Sequence, residues 1–104
     1  MTSLEIDSGI CGFSTVVRVS ATPGESAAVE IESKCKQIAN LAAQLHTVDG
    51  TDLFKKTINR NPVYEKAGAC GLHAGCPVPC GIIKAVEAEL GFALKKGASI
   101  AFQA

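Results

Sequence analysis

The stretch Phe13-Ser14-Thr15-Val16-Val17-Arg18-Val19-Ser20-Ala21-Thr22-Pro23-Gly24-Glu25-Ser26-Ala27-Ala28-Val29-Glu30-Ile31-Glu32-Ser33 decides the fold. Phe13, Thr15, Val17 and Val19 fall on one side of a period-two segment rich in β-branched residues, which predicts a strand over 13–20. Ala27, Val29 and Ile31 alternate with Ala28, Glu30 and Glu32 and predict a second. Between them, Pro23-Gly24 fits the two central positions of a type II turn. The two strands and the turn make a hairpin. Thr22-Pro23-Gly24-Glu25 also matches a capping box with proline at the first helical position, which would open a helix through His46. The clean alternation of Ala-Val-Glu-Ile-Glu favours the hairpin.

Toward the N-terminus, Leu4 and Ile6 alternate with polar residues and predict a short strand over 3–7. Asp7 to Gly12 is a glycine-flanked loop. Toward the C-terminus, Ser33 is a good N-cap for a helix to about His46, with Cys35, Ile38, Ala39, Ala42 and Leu45 as its apolar stripe. Val48-Asp49-Gly50-Thr51 breaks it. Residues 52–60 suit a short second helix that Asn61-Pro62 ends, and 63–69 lead into a cysteine loop. A third helix is predicted from Gly81 to Leu90, burying Ile82 or Ile83, Val86 and Leu90, with Gly91 as its stop. Lys95-Lys96-Gly97 is a turn, and Ala98 to Phe102 reads as a closing strand beside the first hairpin. The expectation is one α+β domain over residues 1–104. A three-stranded antiparallel meander is followed by helices packed on one sheet face, with a closing C-terminal strand.

Composition narrows the functional classes. Ten Lys and Arg balance ten Asp and Glu, and aromatics are scarce, with four Phe, one Tyr and no Trp. A basic face or a base-stacking platform for nucleic acid is therefore not expected. No apolar run approaches the ~20 residues that cross a bilayer, and Met1 to Asp7 has no signal-peptide character, so no membrane role is expected. These features, together with five cysteines, an odd number, point to a reduced cytoplasmic setting in which thiols serve metal or redox chemistry.

Three of those cysteines and one histidine lie in Cys70-Gly71-Leu72-His73-Ala74-Gly75-Cys76-Pro77-Val78-Pro79-Cys80. Glycine and proline there suit a stiff loop that turns several sulfurs toward one point. Cys11 lies in the loop before the hairpin and Cys35 at a helix start. Cys76 and Cys80 lie just before the last helix. Helix N-termini expose N–H groups and positive partial charge, which favour the thiolate, the metal-binding form. The C-x5-C-x3-C spacing is not a standard zinc pattern. The residues also admit plainer roles: Cys35 as a small buried hydrophobe, His73 as a surface loop residue, His46 as a partner of a helix C-terminus. No paired carboxylates, Ser-His-Asp set or phosphate loop stands out, and no substrate pocket is legible, so catalysis is not expected.

Ile10-Cys11-Gly12, the hairpin, Ser33-Lys34-Cys35 and an Ala/Leu-rich helix, then Leu72-His73 ahead of Cys76 and Cys80, resemble the U-type iron–sulfur cluster scaffold proteins (the NifU N-terminal and IscU class). The resemblance covers roughly residues 10–45 and 72–90. It implies an IscU-like fold and a cluster held by cysteines from three loops. Phe13 stands where that family carries a ligand Asp, and Lys34 and Lys36 flank Cys35 where glycine is usual. Cys70 and a further late cysteine are extra. More thiolates and no Asp favour a lasting, all-cysteine [4Fe–4S] centre. The chain also looks like a small group of uncharacterised cysteine-containing proteins of anaerobic bacteria and archaea that share the Cys-Pro-Val-Pro loop.

The expected site is thus Cys11, Cys35, Cys76 and Cys80, with Cys70 or His73 as substitutes. The cofactor would be an iron–sulfur cluster, with zinc as the alternative on the same ligands. The role would be cluster carrying or electron transfer with a redox or cluster-transfer protein as partner; a homodimer stays open. A third expectation is a thiol redox protein or sensor, with Cys80 as the reactive thiolate and Cys76 or Cys70 resolving it.

Overall fold

The computed structural model describes all 104 residues, Met1–Ala104. Strands β1 (Thr2–Asp7), β2 (Ser14–Thr22), β3 (Ser26–Ser33) and β4 (Thr47–Asp49) form one antiparallel sheet in the order β1-β2-β3-β4. The helices are α1 (Lys36–Gln44), α2 (Thr51–Phe54), α3 (Pro62–Ala69) and α4 (Val78–Glu89). The fold is α+β, a meander followed by helices, as expected.

Register explains why the sheet is two-faced. Leu4, Val17 and Ile31 lie in one cross-strand row, Thr2, Val19 and Val29 in the next, and Ala27 faces Val48 beyond them. These side chains share a face, and Val17, Val19, Ala27, Val29 and Val48 on it are buried. The opposite face carries Glu5, Arg18, Glu30 and Glu32 in water. Arg18 pairs there with Glu30 at 3.0 Å and Glu32 at 3.6 Å, an exposed pairing of small energetic weight.

The helices cover the apolar face. Helix α1 packs on β3 through Ile38, Leu41 and Leu45, and α4 lies over β1 and β2 through Val78, Ile82, Ala85 and Val86. Helix α3 fills the space between α1 and α4 with Val63 and Ala67. Removing a side chain such as Leu41 or Ile82 from water stabilises the fold by about 1.5–3 kcal/mol each. Gly81 lets α4 come close to β1, because a Cβ at that position would run into the Ile6 side chain.

The hairpin turn is a three-residue loop, Pro23-Gly24-Glu25, between paired Thr22 and Ser26. Gly24 has the positive φ (82°) expected of it, and Glu25 is left-handed as well (φ 56°). The Glu25 carbonyl takes the Gly50 N–H at 2.8 Å, which ties the turn to the end of β4.

Several boundaries differ from the sequence expectation. Residues 98–102 form no closing strand; Ile100 and Phe102 are 94% and 104% exposed, and the chain from Leu94 onward has no regular structure. Both places beside the β2–β3 hairpin are taken, by β1 and β4, so none remains next to it for a closing strand. Thr47–Asp49 pairs with β3 where a break was expected. Asn61-Pro62 starts a helix rather than ending one: the Asn61 side chain accepts the Val63 N–H at 2.9 Å, and Pro62 occupies the first turn, where its missing N–H costs nothing. The expected helix over 52–60 is instead the single turn α2 and a separate 3-10 turn, Ile58–Arg60. Helix α1 starts at Lys36 instead of just after Ser33, and α4 starts three residues before Gly81, with Pro77 as its N-cap. Phe13 is 39% exposed and Ala39 lies outside the buried stripe, which Leu41 joins instead. No helix is long and apolar enough to cross a membrane.

Glu89 closes the far end of the sheet. It accepts the Thr2 hydroxyl at 2.7 Å and the Ala21 N–H at 3.0 Å, and the Met1 amino group stands at 3.4 Å. These contacts, the Thr2 hydroxyl first, hold its carboxyl below the usual carboxylate range. The folded value is lower than the unfolded one, so the stabilisation is present above about pH 4.5 and is lost as pH falls through the folded value. In urea titrations at a series of pH values, Glu89→Gln is expected to flatten the acid-side loss of stability. Gly81→Ala is expected to cost about 1 kcal/mol net, since ~1–3 kcal/mol of overpacking against Ile6 outweighs the ~1 kcal/mol gained in helix propensity. A variant as stable as the parent would show that α4 does not depend on this close approach.

Candidate functional site

Cys11 is positioned by glycine geometry. Asp7 Oδ1 accepts the Gly9 N–H at 2.9 Å, and the 3-10 turn Gly9–Cys11 is closed by the Gly12 N–H on the Gly9 carbonyl at 2.9 Å. Gly9 and Gly12 both have φ of 75°, which glycine adopts without the Cβ penalty. Cys11 is therefore presented at an exposed tip, where β1 ends and β2 begins.

Cys35 sits where β3 gives way to α1. It is the N-cap, extended at φ −71° and ψ 126°, and its carbonyl accepts the Ala39 N–H at 2.8 Å. Ser33, the expected cap, acts one step earlier: its hydroxyl oxygen accepts the Cys35 N–H at 3.1 Å. The Cys35 thiol is half-buried, with its sulfur 3.4 Å from Gln37 Oε1.

His73 and Cys76 are fixed by the way α3 ends. Gly71, left-handed at φ 79°, donates to the Gly68 carbonyl at 3.0 Å, and Leu72 donates to Ala67 at 3.0 Å. That pair of bonds is a Schellman ending, which stops the helix and packs Leu72 against the core. The Cys76 N–H then bonds to the His73 carbonyl at 3.1 Å, so His73 and Cys76 stand at the two ends of one four-residue turn. Cys76 immediately precedes Pro77, the N-cap of α4.

These three segments meet at one end of the sheet. The Cys11 sulfur lies 3.9 Å from His73 Nε2. Burial pushes the Cys76 thiol up from its ordinary value, the Val78 N–H pulls it back, and the nearby sulfurs of Cys35 and Cys11 push it further up. Cys11, Cys35, Cys76 and His73 thus form one neighbourhood drawn from residues 65 positions apart at the extremes (76 − 11). As the side chains stand, no three of the Cys, His, Asp and Glu groups close on a point tightly enough to hold a metal ion. Coordination would require the thiols to turn inward from this loose arrangement.

Cys70 and Cys80 are placed differently. Cys70 is the C-cap of α3, half-buried against the core. Cys80 lies in the first turn of α4, exposed and near Tyr64, whose hydroxyl is pushed up by burial first and by the Cys80 charge second. His46 closes α1 as expected of a helix-end histidine, with Nε2 2.9 Å from the Ala43 carbonyl. Sequence inspection missed the part of Asp7 in setting the backbone under Cys11, and gave Ser33 the cap position that Cys35 takes while Ser33 holds the Cys35 N–H. Asp-x-Gly before Cys11 and Ser-x-Cys before the helix were the available signals.

A family model matches residues 2–102, and the chain belongs to that family, a family of unknown function (DUF6951). No curated protein and no solved structure matches the chain.

Proposed function

We propose that this domain is a small cytoplasmic iron–sulfur cluster-binding protein, carrying a cluster or its electrons to a protein partner. The observation that supports it is the meeting of Cys11, Cys35 and Cys76 with His73 at one surface end of the sheet. Soft thiolates are the ligands that iron–sulfur clusters select. Cys11, Cys35 and Cys76 would hold the cluster, with His73 as the fourth donor, and the cluster would supply a one-electron centre or a transferable cargo. Cys11 and His73 are exposed, so bound cargo would stay within a partner's reach. The same residue order underlies the resemblance to U-type scaffolds.

Three sulfurs and one imidazole also suit tetrahedral zinc, a structural or regulatory role without redox change. The donor set itself favours keeping this second reading.

Anaerobic reconstitution with iron and sulfide, followed by iron, sulfide and zinc analysis, tests both. Acid-labile sulfide with iron is expected in the parent chain. Cys11→Ser, Cys35→Ser and Cys76→Ser are each expected to lose most of the bound iron, while Cys70→Ser and Cys80→Ser keep it. Loss on Cys80→Ser would put Cys80 in the place given to His73. Stoichiometric zinc without sulfide would select the second reading, and the absence of both metals would overturn the two together.

A further inference from the structure

The outer edge of β1 and the segment after α4 are both left without a partner in the chain. Strand β1 bonds only to β2, and the phase of that pairing is fixed where the Ser8 N–H meets the Phe13 carbonyl at 3.1 Å. An antiparallel pair turns the N–H and C=O groups of every second residue away from the neighbour. Along β1 those are the groups of Ser3, Glu5 and Asp7. The strand is six residues long and carries neither proline nor lysine, two of the devices that blunt an edge against pairing. On its covered face Leu4 and Ile6 are only half-buried, so apolar surface reaches the edge.

Gly97-Ala98-Ser99-Ile100-Ala101-Phe102 has the alternation of a strand, has no proline, and pairs with nothing. Ile100 and Phe102 stand wholly in solvent. The route to this segment leads away from β1. The Phe92 ring lies against Phe54 of α2, with centroids 4.4 Å apart, and beside Gly50 at the end of β4, the opposite edge of the sheet. Within one chain the free strand pattern and the free edge stay apart.

We propose that residues 97–102 of a second copy add antiparallel to the outer edge of β1, each copy giving its segment and receiving the other's in a closed two-fold dimer. Setting Ile100 opposite Leu4 fixes the register. Ala98 and Phe102 then oppose Ile6 and Thr2 on the face that the helices cover, and Ser99 and Ala101 oppose Glu5 and Ser3 on the wet face. A slip of one residue would turn Ile100 and Phe102 into water. The same register aligns the outward N–H and C=O of Glu5 with those of Ser99. It also sets Lys95 diagonally across from Asp7 on the wet face, a pairing of opposite charges. A parallel strand would carry Lys95 and Lys96 beyond Thr2, away from Glu5 and Asp7. None of this involves the cysteines.

Sedimentation of the full chain over a range of concentrations tests the exchange. The parent is expected to dimerise reversibly, with the Ser3, Glu5 and Asp7 amides exchanging with solvent about tenfold more slowly in the dimer. Ile100→Asp combined with Phe102→Asp is expected to weaken the dimer about a hundredfold. It should leave the thermal midpoint of the dilute monomer unchanged, because both side chains are already in solvent. Glu5→Pro removes one outward N–H, keeps the bonds to β2 and is expected to be monomeric as well. Mixed together, these two variants are expected to form a one-sided pair, since one keeps its edge and the other its segment. The paired Asp substitutions decide alone if Glu5→Pro folds poorly. A parent chain that stays monomeric to millimolar concentration would overturn the proposal, including one whose own segment protects the β1 amides. So would a dimer that survives the paired Asp substitutions.

Discussion

Val17, Val19, Ala27, Val29 and Val48 all point to the same side of a sheet whose other side is charged and wet. That one-sidedness constrains the rest of the molecule. A four-stranded sheet with one apolar face is stable only when something covers it, and the chain after β3 is spent doing so. Helices α1 and α4 lie directly on the strands, and α3 wedges between them. The polar devices are at the ends, where Glu89 clasps Thr2 and Ala21 and the Asn61 side chain starts α3.

The cysteine neighbourhood is a by-product of how the layers end. Strand β1 ends, β2 starts and β3 ends at the same edge of the sheet, as the pairings Asp7 with Ser14 and Thr15 with Ser33 require. Helix α4 begins over that edge, held there by Gly81 against Ile6. Any residue in the β1–β2 loop, at the start of α1 or just before α4 is therefore brought to the same place. Cys11, Cys35 and Cys76 occupy those three positions. Cys70, the C-cap of α3, and Cys80, inside the first turn of α4, fall outside those three positions.

The hairpin was legible because two independent signals agreed, period-two alternation and Pro-Gly. The meander, the helix carrying Ile38 and Leu45, and the Gly91 stop followed from equally local rules. Strand β4 was not legible: three residues are too few to show a period, and Val48 is buried only because β3 is beside it. Asn61-Pro62 was ambiguous in kind, since the same dipeptide that ends one helix caps the next. The Ala98–Phe102 alternation misled because strand pattern is a statement about side chains, and both places beside the hairpin it was expected to join belong to β1 and β4. At the site, the clustering of thiols within residues 70–80 was visible, but which of them turn toward Cys11 and Cys35 depends on the Schellman ending at Gly71 and the turn from His73 to Cys76. Those are tertiary facts that spacing alone does not contain.

The close approach of Gly81 to Ile6 also sets an order of events. Strands β1, β2 and β3 pair with their neighbours in sequence, whereas α4 meets β1 across most of the chain. Contacts between nearby segments close first, and the long-range one closes last. During synthesis, Cys11 and Cys35 emerge and find their strands well before Cys76 exists. In that interval the meander has two thiols, and Val17 and Val19 of β2 lack the cover of α4, a condition in which nascent chains are prone to association. Docking of α4 ends both exposures in one step, shielding the valines of β2 and bringing Cys76 to the end of the sheet that holds Cys11 and Cys35, so the gathering of these thiols and the completion of the hydrophobic core are the same folding event.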